Sequence, residues 1–259
     1  MKKRLWFWLG GVLILVMLCA LIVRTAQVQK ISSERYEWGF ARNADGLPPR
    51  AGWDVDFLRK YDAYYLGDTE HKVIYLVFDE GYENGYTSEI LDVLKANDVQ
   101  AAFFVTSSFL KKSPENAVRM VEEGHVVGNH TVTHPDITML SRRNFEQELD
   151  GCAQAFQEAT GQEMDPFFRP PEGVYSLKTL KWAQKMGYKT IFWSLAYRDW
   201  LDDDQPTVQE AYDHVLTYSH NGCITCLHAT SSANAEALDS IIKGLKEAGY
   251  EFKSLYDLP

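Results

Sequence analysis

The chain of 259 residues is poor in cysteine and short of positive charge, and each shortage removes a class of protein. Of its four cysteines, Cys19 falls in an apolar run near the N-terminus, leaving Cys152, Cys223 and Cys226 for the rest, too few for a disulfide framework. Cys223-x-x-Cys226 has the spacing of a redox or metal motif, but Gly222 to Leu227 reads as a strand. Residues three apart in a strand point to opposite faces and lie roughly 10 Å apart, too far for a bridge, so buried free thiols are expected. Against 36 Asp+Glu stand 26 Lys+Arg, a net charge of -10, and three of the positive residues lie among the first four. The remaining surface is therefore more acidic still, which repels nucleic acid and anionic lipid.

One long uncharged run, Leu5 to Val23, follows Lys2, Lys3 and Arg4. As a helix it spans about 28 Å, close to the hydrocarbon thickness of a bilayer. The preceding positive charge favours a cytoplasmic N-terminus and an external body. The run is longer than a secretory h-region and lacks a small-x-small site before Arg24. Leu18 before Cys19 is too bulky for lipobox processing. These features predict an uncleaved signal anchor over residues 1–24, a juxtamembrane and wrapping segment over 25–70, and a catalytic body over 71–259. The body is long enough for one domain with a substantial core, expected as a monomer. Fourteen tyrosines and seven tryptophans suit a carbohydrate partner, although core packing uses the same residues.

Seven apolar segments alternate with helical ones. The strands are expected at Val73–Phe78, Ala101–Thr106, His125–Gly128, Phe167–Phe168, Tyr188–Trp193, Cys223–Leu227 and Tyr250–Ser254. Helices are expected at 88–96, 114–123, 141–160, 178–186, 206–219 and 233–248, several opened by Ser or Pro and closed by Gly. Trp38 to Pro49 reads as irregular chain. Strands alternating with helices indicate an α/β barrel. Asp79, His130, Arg169 and His228 each follow a strand, and Asp199 lies six residues beyond Trp193. The C-terminal ends of barrel strands converge on one mouth, where residues distant in sequence meet.

The chemistry of these residues is complementary. Neutral imidazoles at His130 and His134 can hold a divalent ion, with a carboxylate from the first strand end as a further ligand. Asp79 and Glu80 can divide the remaining work, one taking a proton from water and the other binding metal. Arg169 can pair with Asp79 and keep it ionised, or be an ordinary rim salt bridge. His228 can donate a proton to a leaving amine while Asp199 holds its far nitrogen. The set points to metal-assisted hydrolysis.

On these residues the chain resembles the polysaccharide deacetylases of the NodB-homology type, carbohydrate esterase family 4. Within them it is most similar to the delta-lactam-biosynthetic muramic-acid de-N-acetylases. The resemblance runs from about Tyr36 to Leu258 and includes Trp38–Gly39–Phe40 and Tyr61 to Gly67. The motifs stand in order as Val77–Phe78–Asp79–Glu80–Gly81, His130 to Pro135, Arg169–Pro170–Pro171–Glu172–Gly173, Asp199–Trp200 and Cys226–Leu227–His228. The resemblance implies a distorted (β/α)7 barrel and one divalent ion, zinc first, with cobalt, manganese or magnesium as alternatives. It implies Asp79 as base, His228 as acid, Asp199 and Arg169 as their partners, and Glu80, His130 and His134 as metal ligands. Substrate contacts are expected from Trp200, Cys226, Leu227, Pro170 and Gly173.

Three positions depart from the family pattern: Glu80 for the usual Asp, Ala196 for the first acid of the fourth motif, and Cys226 for Leu. The longer Glu80 side chain makes strict Asp–His–His ligation an open question, and Cys226 enlarges the acetyl pocket. The implied activity is removal of the N-acetyl group of N-acetylmuramic acid in peptidoglycan by an enzyme tethered outside the cytoplasm. The freed amine can then close a muramic delta-lactam, as in spore cortex. The alternatives are deacetylation of N-acetylglucosamine or O-acetyl groups in vegetative wall, and non-catalytic glycan binding.

Overall fold

The computed structural model describes residues 32–43 and 45–259, so the anchor expected at 1–24 lies outside the described residues. Among the described residues no helix is long and apolar enough to cross a membrane. Ser33–Pro259 forms one compact unit, which includes the part of the wrapping segment from Ser33 to residue 70.

The strands are β1 Tyr36–Glu37, β2 Phe40–Ala41, β3 Arg50–Ala51, β4 Ala63–Tyr64, β5 Val73–Tyr75, β6 Val77–Glu80, β7 Ala102–Val105, β8 Val126–Asn129, β9 Phe167–Phe168, β10 Val174–Tyr175, β11 Lys189–Ile191, β12 Leu195–Ala196, β13 Cys223–His228 and β14 Glu251–Phe252. The helices are α1 Val55–Arg59, α2 Thr87–Ala96, α3 Ser107–Lys112, α4 Pro114–Glu122, α5 Arg142–Thr160, α6 Leu177–Lys185, α7 Val208–Tyr218 and α8 Ser232–Glu247. All seven expected strands form, and all pair in parallel. Together with β4 they lie in the order β14-β5-β13-β6-β7-β8-β9-β11-β4. The first expected strand divides at Leu76: β5 pairs with β13 and β14, whereas β6 pairs with β13 and β7.

The ring closes because the chain leaving β11 bends back as β12 and pairs with β13, with Ser194 N–H donating to Ile224 O at 2.9 Å. Below this seam β4 is inserted beside β11, and Leu66 bridges Cys223. The last strand, β14, pairs only at the outer edge of β5. This displacement is the distortion of the barrel.

Helix ends follow local chemistry. The Ser141 hydroxyl accepts from Asn144 N–H at the start of α5, and Gly161 closes that helix with φ 73°. Reciprocal capping boxes open α6 at Ser176 and Thr179 and α7 at Thr207 and Glu210. The sequence reading had no place for α3, a helix of six residues capped by Thr106, because an element so short carries no periodicity.

The segment expected as irregular chain contains β2 and packs through Trp38. This indole stacks on Phe192 at 4.4 Å between ring centroids, its Nε1–H donates to Trp193 O at 2.9 Å, and its backbone N–H donates to Gly173 O at 2.9 Å. It thereby secures both the Arg169–Gly173 loop and the β11–β12 turn. Trp38→Ala is expected to destabilise the fold by about 3–5 kcal/mol, the range for deleting a buried large aromatic. Denaturant unfolding checks this; an unchanged midpoint would show that the wrapping segment is dispensable.

Candidate active site

The C-terminal ends of β6, β8, β9, β12 and β13 surround a cavity of about 690 Å³. Asp79, His130, His134, Pro170, Trp200, Cys226 and His228 all line it, as the sequence reading expected. Register explains the convergence: His228 of β13 lies directly across from Asp79 of β6, and Cys226 shares the face of His228 two residues earlier.

Beneath the cavity floor Arg169 is fully buried. Its Nη1 donates to Asp79 Oδ1 at 2.8 Å, Nε to Ile191 O at 3.1 Å, and Nη2 to Thr225 O at 3.1 Å and Phe192 O at 3.4 Å. The guanidinium also lies over the rings of Phe104 and Trp193. Burial would raise the Asp79 pKa, but the charges of Arg169, His130 and His228 outweigh it and hold the carboxyl below its ordinary range. Asp79 is therefore held ionised. Arg169 is its buried partner and no rim salt bridge.

The acid side is built in the opposite sense. Asp199 is fully buried; its Oδ1 accepts from His228 Nδ1 at 2.7 Å, and its Oδ2 accepts from His228 N–H at 2.9 Å and from Asn234 Nδ2 at 2.6 Å. Burial opposes charge on His228, but the Asp199 carboxylate prevails and raises the imidazole pKa above its ordinary value. With Nδ1 committed to Asp199, Nε2 is the proton-carrying atom available to the cavity. The Trp200 ring lies 5.5 Å from that of His228, and Trp200 is half exposed on the rim.

His130 and His134 meet at 4.8 Å between ring centroids. His130 Nδ1–H donates to Arg169 O at 2.9 Å, which leaves Nε2 as a lone-pair donor. Burial lowers the His130 pKa to about 4 and also lowers that of His134, against the pull of the Asp79 charge. Both rings are thus neutral, the state that binds metal. Their loop is forced: Thr131 and His134 have φ of 72° and 57°, and Glu148 of α5 accepts from Val132 and Thr133 N–H at 2.9 Å each. Glu148 is a positioning residue that no motif indicated.

Three expected contacts fall elsewhere. Glu80 follows Asp79 on β6, and strand alternation turns it out of the mouth; it is fully buried and accepts from Thr87 Oγ1, at 3.3 and 3.4 Å. Burial, with the charges of Glu83 and Asp79, raises its pKa well above the ordinary carboxyl value. Asp79 is the carboxylate whose charge acts on both His130 and His134, while Glu80 stands in this structure at the strand end, hydrogen-bonded to Thr87. Leu227 alternates away from Cys226 and His228 into the apolar core. Gly173 is buried beneath the mouth, where an added Cβ would lie 2.7 Å from Trp193 and 2.9 Å from Trp38. The cavity instead receives Glu172, whose backbone is left-handed at φ 54°, together with Tyr82, Trp193 and Thr230. Tyr82 donates to Asp202 at 2.7 and 2.8 Å and joins the loops after β6 and β12.

Asn234 was also missed. Besides Asp199 it donates to His228 O at 3.0 Å, and it accepts from the Tyr197 hydroxyl. A buried asparagine in the first turn of a helix resembles any capping residue until the fold brings it to Asp199. Cys152, Cys223 and Cys226 are free and buried, as expected.

The donors of Asp79, Cys226 and His228 lie within 4.8 Å of one another. Burial and the Asp79 charge keep the Cys226 thiol protonated, and His228 favours its cationic form, so this trio is ordered for proton handling. The neutral pair His130 and His134, facing the anionic Asp79, is the part of the site that fits a divalent ion.

A parallel α/β barrel with an anionic base, a cationic acid and a neutral histidine pair at one mouth defines a hydrolase-type site. The polysaccharide deacetylase model matches residues 66–191. The peptidoglycan-N-acetylmuramic acid deacetylase PdaA of Bacillus subtilis is 46% identical, over 90% of this chain and 89% of its own. An uncharacterised 30.6 kDa protein of Geobacillus stearothermophilus is 50% identical, over 88% of this chain and 86% of its own. The solved structure of Bacillus subtilis PdaA, a family 4 carbohydrate esterase, superposes with a TM-score of 0.85 over 88% of this chain and 98% of that one. The chain belongs to the polysaccharide deacetylase family, the NodB-homology enzymes of carbohydrate esterase family 4.

The opposed pKa directions predict a plateau of activity bounded below by Asp79 protonation, at a pH under the usual carboxyl range, and above by His228 deprotonation, beyond the ordinary histidine value. Asp199→Asn removes the charge that stabilises the imidazolium, so the alkaline limb of kcat/KM is expected to move to lower pH while the acid limb changes little. A pH–rate profile of both proteins tests this; an unmoved alkaline limb assigns that limb to another group.

Proposed function

We propose that the protein removes the acetyl group from N-acetylmuramic acid in peptidoglycan. The observation that carries this reading is the meeting of Asp79–Arg169, His228–Asp199 and His130–His134 around one cavity, and the relation to PdaA directs it toward muramic acid. Residues 1–24 are read as a signal anchor that tethers the body outside the cytoplasm, 25–70 as the juxtamembrane and wrapping part, and 71–259 as the catalytic part. With the stem peptide removed, the freed muramic amine can attack the neighbouring lactyl carboxyl and close a delta-lactam, which suits spore cortex.

His130 and His134 would hold a divalent ion, zinc by preference, through their ring nitrogens. Such an ion, when bound, would supply Lewis-acid polarisation of the acetyl carbonyl and a lower pKa for water. Asp79, fixed by Arg169 with Oδ2 toward the mouth, takes a proton from the attacking water. His228 then delivers its Nε2 proton to the departing amine, and the carbon–nitrogen bond breaks to give acetate and a free amino sugar. Asp199 supports the imidazolium before that transfer. Trp200, Pro170 and the rim aromatics cover the apolar parts of the sugar and exclude water.

Incubation of the full chain, reconstituted with metal, with glycan strands lacking stem peptide is expected to release acetate, and mass mapping should place the loss on muramic acid. Loss only from N-acetylglucosamine or from ester groups would reject the substrate assignment, and no release from any of these would reject the enzyme reading.

Two adjacent acids separate the roles further. Asp79→Asn is expected to retain bound metal and lose turnover by about 10²–10⁴-fold, because an amide cannot accept the proton. Glu80→Gln, neutral like the buried acid it replaces, is expected to retain both metal and turnover. Metal content and rates measured side by side decide the point, and loss of metal from Glu80→Gln would restore Glu80 as a ligand.

A further inference from the structure

The cavity contains a second donor set that the deacetylation chemistry leaves unused as a ligand set. We propose that Cys226, Asp79 and His228 form a second cation site, one that takes a thiophilic divalent ion such as cadmium or excess zinc and arrests the enzyme by occupying its base and acid together.

The backbone prepares this arrangement. Parallel pairing of β13 with β6 sets His228 across from Asp79, and Cys226 precedes His228 by two residues on the same face. Cys226 Sγ lies 3.4 Å from Asp79 Oδ2, and a nitrogen of His228 completes a group whose donor atoms all fall within 4.8 Å. Thiolate, carboxylate and imidazole are the three common protein ligands of zinc, with bonds of about 2.0–2.3 Å. Contraction of about 1 Å would bring the donors to tetrahedral spacing, within reach of small χ rotations of Cys226 and His228. The cavity leaves a fourth position for water.

Support behind the ligands is already built. His228 gives Nδ1–H to Asp199 at 2.7 Å, so Nε2 is the nitrogen left for the ion once its proton is displaced. Asp199 is fixed in turn by Asn234 at 2.6 Å. A carboxylate holding the far nitrogen of a histidine is the usual outer arrangement of a metal-binding imidazole. Asp79 is similarly steadied by Arg169 at 2.8 Å through Oδ1, which leaves Oδ2 for the ion.

Binding exchanges two protons for the cation: the Cys226 S–H and His228 Nε2–H bonds break, S–metal and N–metal bonds form, and both protons leave to water. The incoming charge neutralises the Asp79 field that otherwise disfavours a thiolate. The ion then engages the Asp79 oxygen that would accept the water proton and the His228 nitrogen that would carry the amine proton. A leucine at position 226 would offer no donor atom, so the site depends on Cys226.

The inhibitory half of the proposal rests on the deacetylase reading, whereas the binding half does not. Cadmium titration of the full chain, followed by ultraviolet difference spectroscopy, is expected to show a thiolate-to-cadmium band. The band should persist in the His130→Ala/His134→Ala double variant and vanish in Cys226→Ser and Cys226→Leu, with circular dichroism confirming that each variant is folded. Cys152 and Cys223 are common to all these proteins, so the difference isolates Cys226. In the acetate-release assay, Cys226→Ser should raise the half-inhibitory zinc concentration by at least about 10-fold, the smallest loss typical even of an outer-shell change. An undiminished band in both Cys226 variants, or its loss in the double-histidine variant, would overturn the second site. The expected band with unaltered zinc inhibition would overturn its inhibitory role. The expected band with no acetate from any substrate would leave the site standing and reject the deacetylase reading.

Discussion

Arg169 places a guanidinium where a barrel of this size would otherwise be filled by apolar side chains. Desolvating that charge is tolerable because three backbone carbonyls, two aromatic faces and the Asp79 carboxylate surround it. The carbonyls of Ile191 and Phe192 belong to the chain leaving β11, and that of Thr225 to β13, so one side chain joins the seam where the barrel closes. The carbonyl of Arg169 itself sets the tautomer of His130. Base, seam and metal-type histidine therefore share one fixed point.

From this point the site acquires two opposite electrostatic characters within one cavity. Asp79 lies against a permanent cation and remains ionised, while His228 lies against a buried anion and retains its proton. Neither residue type has that state assured by itself at neutral pH in a buried place. Each is set by a partner that lies outside the cavity, beneath or behind its lining, and Asn234 extends the acid side by another layer. The neutral pair His130 and His134 is a third environment, one in which burial governs. Metal-assisted hydrolysis can use all three, and the protein separates them by assigning each to a different strand end.

Alternation along two strands decides which motif residues reach the chemistry. On β6 Asp79 enters the mouth and Glu80 faces the helical layer toward Thr87. On β13 Cys226 and His228 face the mouth, while Leu227 joins the core. In the Arg169–Gly173 loop the left-handed backbone of Glu172 brings that acid to the rim, and Gly173 supplies the room that Trp193 and Trp38 require. Motif membership and contact with the cavity are thus different properties. The motif residues share a local backbone path, and only some of their side chains face inward.

Much was legible in the sequence because its causes are local. Short apolar runs marked all seven parallel strands, and Ser, Pro and Gly marked several helix ends. Ordered polar residues just past those strands identified Asp79, His130, His134, Arg169, Asp199 and His228. What the sequence could not decide depends on pairings across long separations. Examples are the split of β5 from β6, the return of β12 onto β13, the insertion of β4, and the approach of Glu148, Tyr82 and Asn234 to loops or side chains far along the chain. Nor could it give the partner that sets each pKa, because burial and neighbouring charge exist only once the strands have closed. Residue types determined the chemistry open to this protein; the closure of the barrel around Arg169 decided which side chains meet and in which protonation state.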